Sequence, residues 1–302
     1  MNSSRGLKKF ESSIVNADVK FFTGAVWMIS AGLLFVAVAV IVRHLSSSMP
    51  SVQAAFIRYA FGLIILLPVL LRMQWRNIGS KSYAIYIVRG TIHAGAVILW
   101  FFAMSRISIA EVTAIGYTAP IFTTLGAVIF FNETIRIRRV LAIAFGFIGV
   151  LIIIRPGFNQ VSVGSLAQLL AAPCFAGSFL LAKQLTKSHA PGDILALLSV
   201  GCTMALLPGA LLVWVTPSGT ELIWLMLVAV FATVGHYALT RAIACAPLSL
   251  TQPFSFLQLL WAVIFGYIFF GDVPDTWVIA GGLLILGSVT YMSHRESKAI
   301  SK

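Results

Sequence analysis

ISIAEVTAIGYTAPIFTTLGAVIFFNETIRIRRVLAIAFGFIGVLIIIRPG, Ile107 to Gly157, reads as two apolar runs joined by one short polar link. The runs, 108 to 131 and 138 to 155, each approach the roughly 20 residues that a helix needs to cross a hydrocarbon core of about 30 Å. The link, NETIRIRR, holds Arg136, Arg138 and Arg139. Neither run alternates polar with apolar residues, as a barrel strand would. In lipid the remaining way to satisfy every backbone group within the segment is a helix. Runs of the same kind recur at 21 to 42, 51 to 71, 83 to 104, 165 to 185, 193 to 215, 221 to 241, 248 to 270 and 274 to 292. The pattern predicts an all-α integral membrane protein of ten transmembrane helices.

Composition agrees. Of 302 residues, 59% are hydrophobic and 10% charged, with a mean hydropathy of +0.97, against roughly 25% charged residues in soluble domains. Twenty-one Lys and Arg and nine Asp and Glu are too few to coat a soluble globule of this size, so the solvent for most of the surface is lipid. The net charge of +12 suggests nucleic acid only until the cations are placed. One side receives Arg5, Lys8, Lys9, Lys20, Arg72, Arg76, Lys81, Arg136, Arg138, Arg139, Lys183, Lys187, Arg241, Arg295, Lys298 and Lys302. The other receives Arg43, Arg106 and Arg155, while Arg58 and Arg89 fall inside spans. By the positive-inside rule both termini are cytoplasmic, which an even number of spans requires. The expected location is the inner (plasma) membrane, with no nucleic-acid partner.

Residues 1–20 form a basic tail, read as a disordered cytoplasmic leader or as a binder of acidic headgroups; residues 293–302 form a second cytoplasmic tail. The first apolar run is a full span without a small-residue cleavage site, so no signal peptide is expected. Cys174, Cys202 and Cys245 lie in or at the ends of apolar helices with no ligand spacing and are read as packing residues. No metal or cofactor is expected.

Shifting the chain against itself by about 140 residues aligns Gly24 with Gly164, Phe35 with Phe175, Arg43 with Lys183, Leu45 with Leu185, and LLP at 66–68 with LLP at 206–208. FFNET (130–134) falls on FFGDV (269–273), pairing Glu133 with Asp272. The chain is therefore two five-helix repeats, 21–157 and 158–292. Five is odd, so the second repeat is inverted in the membrane. Inverted repeats are an architecture of alternating-access carriers, with the substrate near the midplane.

The quoted segment, with its small-residue helix start, Pro120, Glu133, Gly146, Gly149 and closing Pro-Gly, resembles the EamA-type signature of the drug/metabolite transporter superfamily. VRG at 88–90 followed by WFFAMSRISIAEVTA resembles the branch that includes proposed riboflavin and S-adenosylmethionine carriers; related branches export amino acids. The pattern departs at Leu259, where the second repeat usually has a Pro, and at Asp272 in place of Glu. The resemblance implies a carrier for a small polar or amphipathic metabolite, such as an amino acid, S-adenosyl compound or flavin, with a cavity between spans 1, 3, 4, 6, 8 and 9. The chain is expected to act as a monomer or homodimer.

A charge in mid-span costs about 3 kcal/mol on insertion scales, so it needs a wet cavity or a partner. Arg89, His93, Ala96 and Trp100 share one face of the third span. Either they bind an anion at one end and a flat ring at the other, or Arg89 snorkels and the others pack. Arg58, deep in the second span, either latches onto Glu111 or stands alone; Glu111 is that latch partner, a proton-coupling site, or simply exposed in the outer loop. Tyr117, a turn before Pro120, adjoins an expected helix break. His236 with Tyr237 and Thr240, and Gln252, Ser255, Gln258 and Trp261, form polar seams that line a cavity or a helix contact.

HExxH, P-loop, CxxC and dinucleotide-loop motifs are absent and the loops are short, so direct use of ATP and enzymatic activity are not expected. The competing readings are an intramembrane enzyme on a lipid-linked substrate, which needs more buried carboxylates, and a passive channel, which needs a continuous pore. If protons couple at Glu111, Glu111→Gln abolishes uptake driven by a pH gradient while sparing exchange without one. Full gradient-driven uptake by that variant removes the coupling role.

Overall fold

The computed structural model describes residues 3–46, 48–73, 79–131, 137–155, 162–185, 188–245, 257–273 and 275–300. Among these the chain is helical throughout: α1 (Ser3–Leu45), α2 (Ser51–Ile65), α3 (Leu67–Arg72), α4 (Ser80–Met104), α5 (Ile109–Gly116), α6 (Ala119–Phe131), α7 (Ile137–Ile154), α8 (Val163–Leu185), α9 (Pro191–Leu212), α10 (Gly219–Cys245), α11 (Leu257–Phe270) and α12 (Thr276–Ile300). Parts of α1, α4, α8, α9 and α10 are long and apolar enough to cross a membrane, and shorter apolar helices lie at α2, α7, α11 and α12. The chain is a multi-pass membrane protein.

Three departures from straight spans have local causes. The second span breaks at Leu66 because Pro68, at the start of α3, has no N–H to continue the ladder. The fourth breaks at Tyr117 and Thr118, with Pro120 second in α6; Tyr117 N–H is shared between the carbonyls of Thr113 and Ala114. The first span extends back to Ser3 through the stretch read as a disordered leader. A helix already nucleated and held by a span adds residues at little cost, which explains the difference.

The packing obeys the symmetry that an inverted repeat demands. Exchanging the halves maps α1 onto α8, α2 with α3 onto α9, α4 onto α10, α5 with α6 onto α11, and α7 onto α12. The contact of α1 with α10 thus becomes that of α8 with α4, α4 with α9 becomes α10 with α2, and α6 with α8 becomes α11 with α1; all six occur. The pairs α2–α9, α5–α11 and α7–α12 map onto themselves and are also in contact.

One end of the bundle is pinned by polar links. The Arg43 guanidinium at the end of α1 forms a bidentate pair with Asp272 after α11, with 2.9 Å for the Nη2–Oδ1 contact. Arg155 after α7 pairs with Asp275 before α12 at 2.5 Å. The Gln53 side chain at the start of α2 donates to Val215 O (2.6 Å) and accepts from Val215 N–H (2.9 Å) beyond the end of α9. One link joins two helix ends and the other two join a helix end to a helix start, so the chain alternates up and down and both termini lie at the opposite end. Arg106, the third cation of the sparsely charged side, lies 4.9 Å from the Phe102 ring centroid.

Glycines set two of the close helix contacts. A Cβ on Gly149 of α7 would sit 2.8 Å from Gly281 O of α12, and one on Gly90 of α4 would sit 2.8 Å from Gly201 Cα of α9. Gly281→Leu forces α7 and α12 apart and is expected to cost about 1–3 kcal/mol as an overpacked contact. Gly287→Ala on the same helix has nothing within 4 Å and should leave the melting temperature unchanged or raise it slightly, since Ala favours helix. Equal melting temperatures for the two variants would remove the close-packing role.

Candidate functional site

The polar residues of the spans gather at the contact between the repeats. Arg89 is 7% exposed and does not snorkel. Its Nε donates to Ser178 O of α8 at 3.2 Å and its Nη1 to Ile194 O of α9 at 2.9 Å. One guanidinium of the first repeat thereby fastens two helices of the second. His93, one turn on, has Nδ1 3.0 Å from Ser178 Oγ, and its ring stands edge-on to Phe175 of α8 at 5.2 Å and 74°. Trp100 meets the same Phe175 at 6.5 Å. The face of α4 that carries Arg89, His93 and Trp100 is therefore one surface, turned onto α8.

His236 of α10 stands against Phe35 of α1 at 5.1 Å and 74°. The contact resembles that of His93 on Phe175: Phe35 and Phe175 are equivalent repeat positions and α10 and α4 exchange, but in the same register His93 falls on Thr233, one turn before His236. The two imidazoles thus meet equivalent rings from exchanged helices, one turn out of register with each other. The missed partners were legible in part. Phe35 with Phe175 is a match in the 140-residue register, whereas Ser178 and Tyr59 carried no signal, because only packing brings them onto α4.

Arg58 and Glu111 are not brought together. Arg58 lies on α2, which packs on α4, α9 and α10; Glu111 lies on α5, which packs on α8, α11 and α12. Glu111 accepts a 2.5 Å hydrogen bond from Ser165 Oγ of α8. Arg58 is 8% exposed, its guanidinium carbon is 4.1 Å from the Tyr59 ring centroid, and its Nε has no hydrogen-bond partner among the described residues. It borders a cavity of about 20 Å³ between α2, α9 and α10, with Tyr59, Ser199, Thr233 and His236 in the walls.

The remaining expected residues sit elsewhere in the core. Tyr117 is at the α5–α6 break, partly buried. Gln258 of α11 faces Gly32 of α1, where an added Cβ would meet Gln258 Cβ at 3.3 Å. Trp261 packs on the core with its Nε1 buried and without a partner among the described residues. Gln168 of α8, absent from the sequence expectations, is 3% exposed, and its Oε1 is likewise unpartnered among them. Gln252 and Ser255 lie outside the described residues, as does Glu133. The small cavity beside Arg58 borders spans 2, 7 and 8, and a larger, mostly apolar one of about 750 Å³ lies between α11 and α12.

Comparison with known proteins fits this construction. The chain is 32% identical over 258 residues to a riboflavin transporter of Brucella anthropi, covering 83% of this chain and 90% of that one. It is 25% identical over 282 residues to an S-adenosylmethionine uptake transporter of Rickettsia felis, covering 93% and 96%. A solved crystal structure at 16% identity superposes with a TM-score of 0.59 over 89% of this chain and 96% of its own, which shows a shared fold. The EamA-like transporter family model matches twice, at residues 22–155 and 162–293. With its doubled helical unit and buried polar centre between the halves, the chain belongs to the EamA-like transporter family and is a transporter, not an enzyme.

Proposed function

We propose that the protein is a secondary carrier that moves a small amphipathic metabolite with a flat ring across the inner membrane by alternating access, its basic end in the cytoplasm. One observation carries the reading: the equivalent repeat positions Phe35 and Phe175 each carry an imidazole edge-on, His236 from α10 and His93 from α4, and α4 and α10 are the helices that the repeat operation exchanges. Similar imidazole-on-ring contacts in both halves of an inverted repeat suit a carrier that presents related surroundings to either side.

The costs point the same way. Arg58, Arg89, His93 and His236 lie in an otherwise apolar bundle, and a mid-span cation alone costs about 3 kcal/mol to insert. A scaffold would gain stability by replacing them. The aromatic rings around them, Trp100, Phe175 and Phe35, offer faces to a planar substrate. Relatives named for riboflavin and S-adenosylmethionine both handle compounds with fused heteroaromatic rings. Arg89 acts in this reading as a positioning residue: its two backbone bonds hold α8 and α9 against α4.

Two outcomes test the proposal. Proteoliposomes carrying the full chain should accumulate labelled riboflavin or S-adenosylmethionine, and Trp100→Ala should raise the KM about tenfold by loss of ring stacking of about 1–3 kcal/mol. Arg89→Gln should instead lower the melting temperature, because it removes the hydrogen bonds of a buried cation to two helix carbonyls, about 1.5–3 kcal/mol each. Uptake of neither compound, or a Trp100→Ala variant with unchanged kinetics, overturns the ring-recognising carrier.

A further inference from the structure

We infer that the cavity between α2, α9 and α10 is an oxyanion seat built on Arg58, and that the transported metabolite is recognised through a carboxylate or phosphate held there. The inference rests on the carrier reading and adds the chemical class of the recognised group.

The two buried arginines differ in how their donors are used. Arg89 places Nε and Nη1 on carbonyls of α8 and α9. Arg58, as deeply buried at 8% exposure, stacks on the Tyr59 ring at 4.1 Å, while its Nε has no partner among the described residues. Stacking covers the face of a guanidinium and leaves its N–H edge for an acceptor. The ion pairs of the described residues, Arg43 with Asp272 and Arg155 with Asp275, lie at the far end of the bundle and do not reach it.

A guanidinium stays charged at any pH the protein meets, so Arg58 cannot relieve its burial by losing a proton as a lysine would. Its complement is an acceptor that brings negative charge and two oxygens, the geometry of a carboxylate or phosphate. The cavity beside it has the right lining. Ser199, Thr233 and His236 supply polar atoms, and Leu66, Leu195, Leu198 and Ala229 keep the surroundings apolar, which strengthens a charge-assisted bond. Ser199 Oγ gives its one proton to Leu195 O at 3.2 Å and has none left for an anion, so Arg58 is the group that draws the ligand.

At about 20 Å³ the cavity has room for a group the size of roughly one water. The body of a metabolite enters only when a wall moves. Leu66 lines the cavity and is also the break between α2 and α3 that Pro68 imposes. The seat thus adjoins the one point of the second span at which the helix ladder is already interrupted.

The test uses the full chain purified in detergent, with melting temperatures read at matched ionic strength in sodium chloride, acetate or phosphate, and with phosphatidic acid added as a separate arm. Acetate or phosphate should raise the melting temperature by a few degrees above chloride, as expected for an anion that binds only the folded protein. The shift should vanish in Arg58→Gln and persist in part in Arg58→Lys. Flavin mononucleotide should bind about tenfold more tightly than neutral riboflavin, and this preference should fall to about twofold or less in Arg58→Gln. A cooperative melting transition of Arg58→Gln in sodium chloride shows that the variant is folded. A shift that survives in Arg58→Gln, no difference from chloride in the wild type, or stabilisation by phosphatidic acid alone overturns the seat. The salt arms need no transported substrate, so they report on Arg58 even if neither flavin nor S-adenosylmethionine is carried.

Discussion

The guanidinium of Arg89 is the knot of this bundle. It leaves α4 in the first repeat and binds carbonyls of Ser178 on α8 and Ile194 on α9 in the second. In lipid, helices have no hydrophobic reason to prefer each other over acyl chains; close packing and shared hydrogen bonds hold them. The same region supplies both. Gly90, next to Arg89, brings α4 within touching distance of Gly201 on α9, and Cys202 lies 3.5 Å from Gly90 O. Small residues permit the approach, and the buried cation fixes its register. His93 and Ser178 complete the contact one turn further along.

Around this knot the two ends of the molecule are built differently. The end away from the termini is closed by short polar links: Arg43 with Asp272, Arg155 with Asp275, Gln53 with Val215 and Ser165 with Glu111. Each joins elements that the repeat places side by side. Arg155 takes a left-handed backbone, φ 49°, to end α7; glycine is the usual residue there, but only a long cation reaches Asp275. The cavity at Arg58 lies on the other side of the centre, where α9 begins and α2 has kinked.

Much of this was readable from residue order. Ten apolar runs, the sixteen-to-three division of cations and the 140-residue register depend on local composition and on the thickness of the bilayer, both of which a linear sequence records. His93 and Arg89 stood out because a polar group in hydrocarbon is costly wherever its partner is. The partners were another matter. Glu111 looked like a mate for Arg58 because opposite charges in spans attract, yet α2 packs mainly on α9 and α10 and α5 mainly on α8 and α11, and Ser165 meets the carboxylate instead. Ser178 and Tyr59 are unremarkable residues in sequence and become significant only through the helix that faces them.

The sequence alone determined that this chain is an all-helical membrane protein of doubled, inverted design, because span length, charge placement and an odd repeat leave little choice. Tertiary structure decided which of its two buried arginines places its Nε on a carbonyl and which leaves it without a partner among the described residues. Arg58 and Arg89 read alike as isolated cations in apolar helices; what separates them is the backbone within reach. Two carbonyls face Arg89 across the helix contacts, while at Arg58 a tyrosine ring and a small cavity stand in their place. Hydrogen-bond reach is a matter of a few ångströms between helices some 90 or more residues apart in the chain, and no local pattern encodes it.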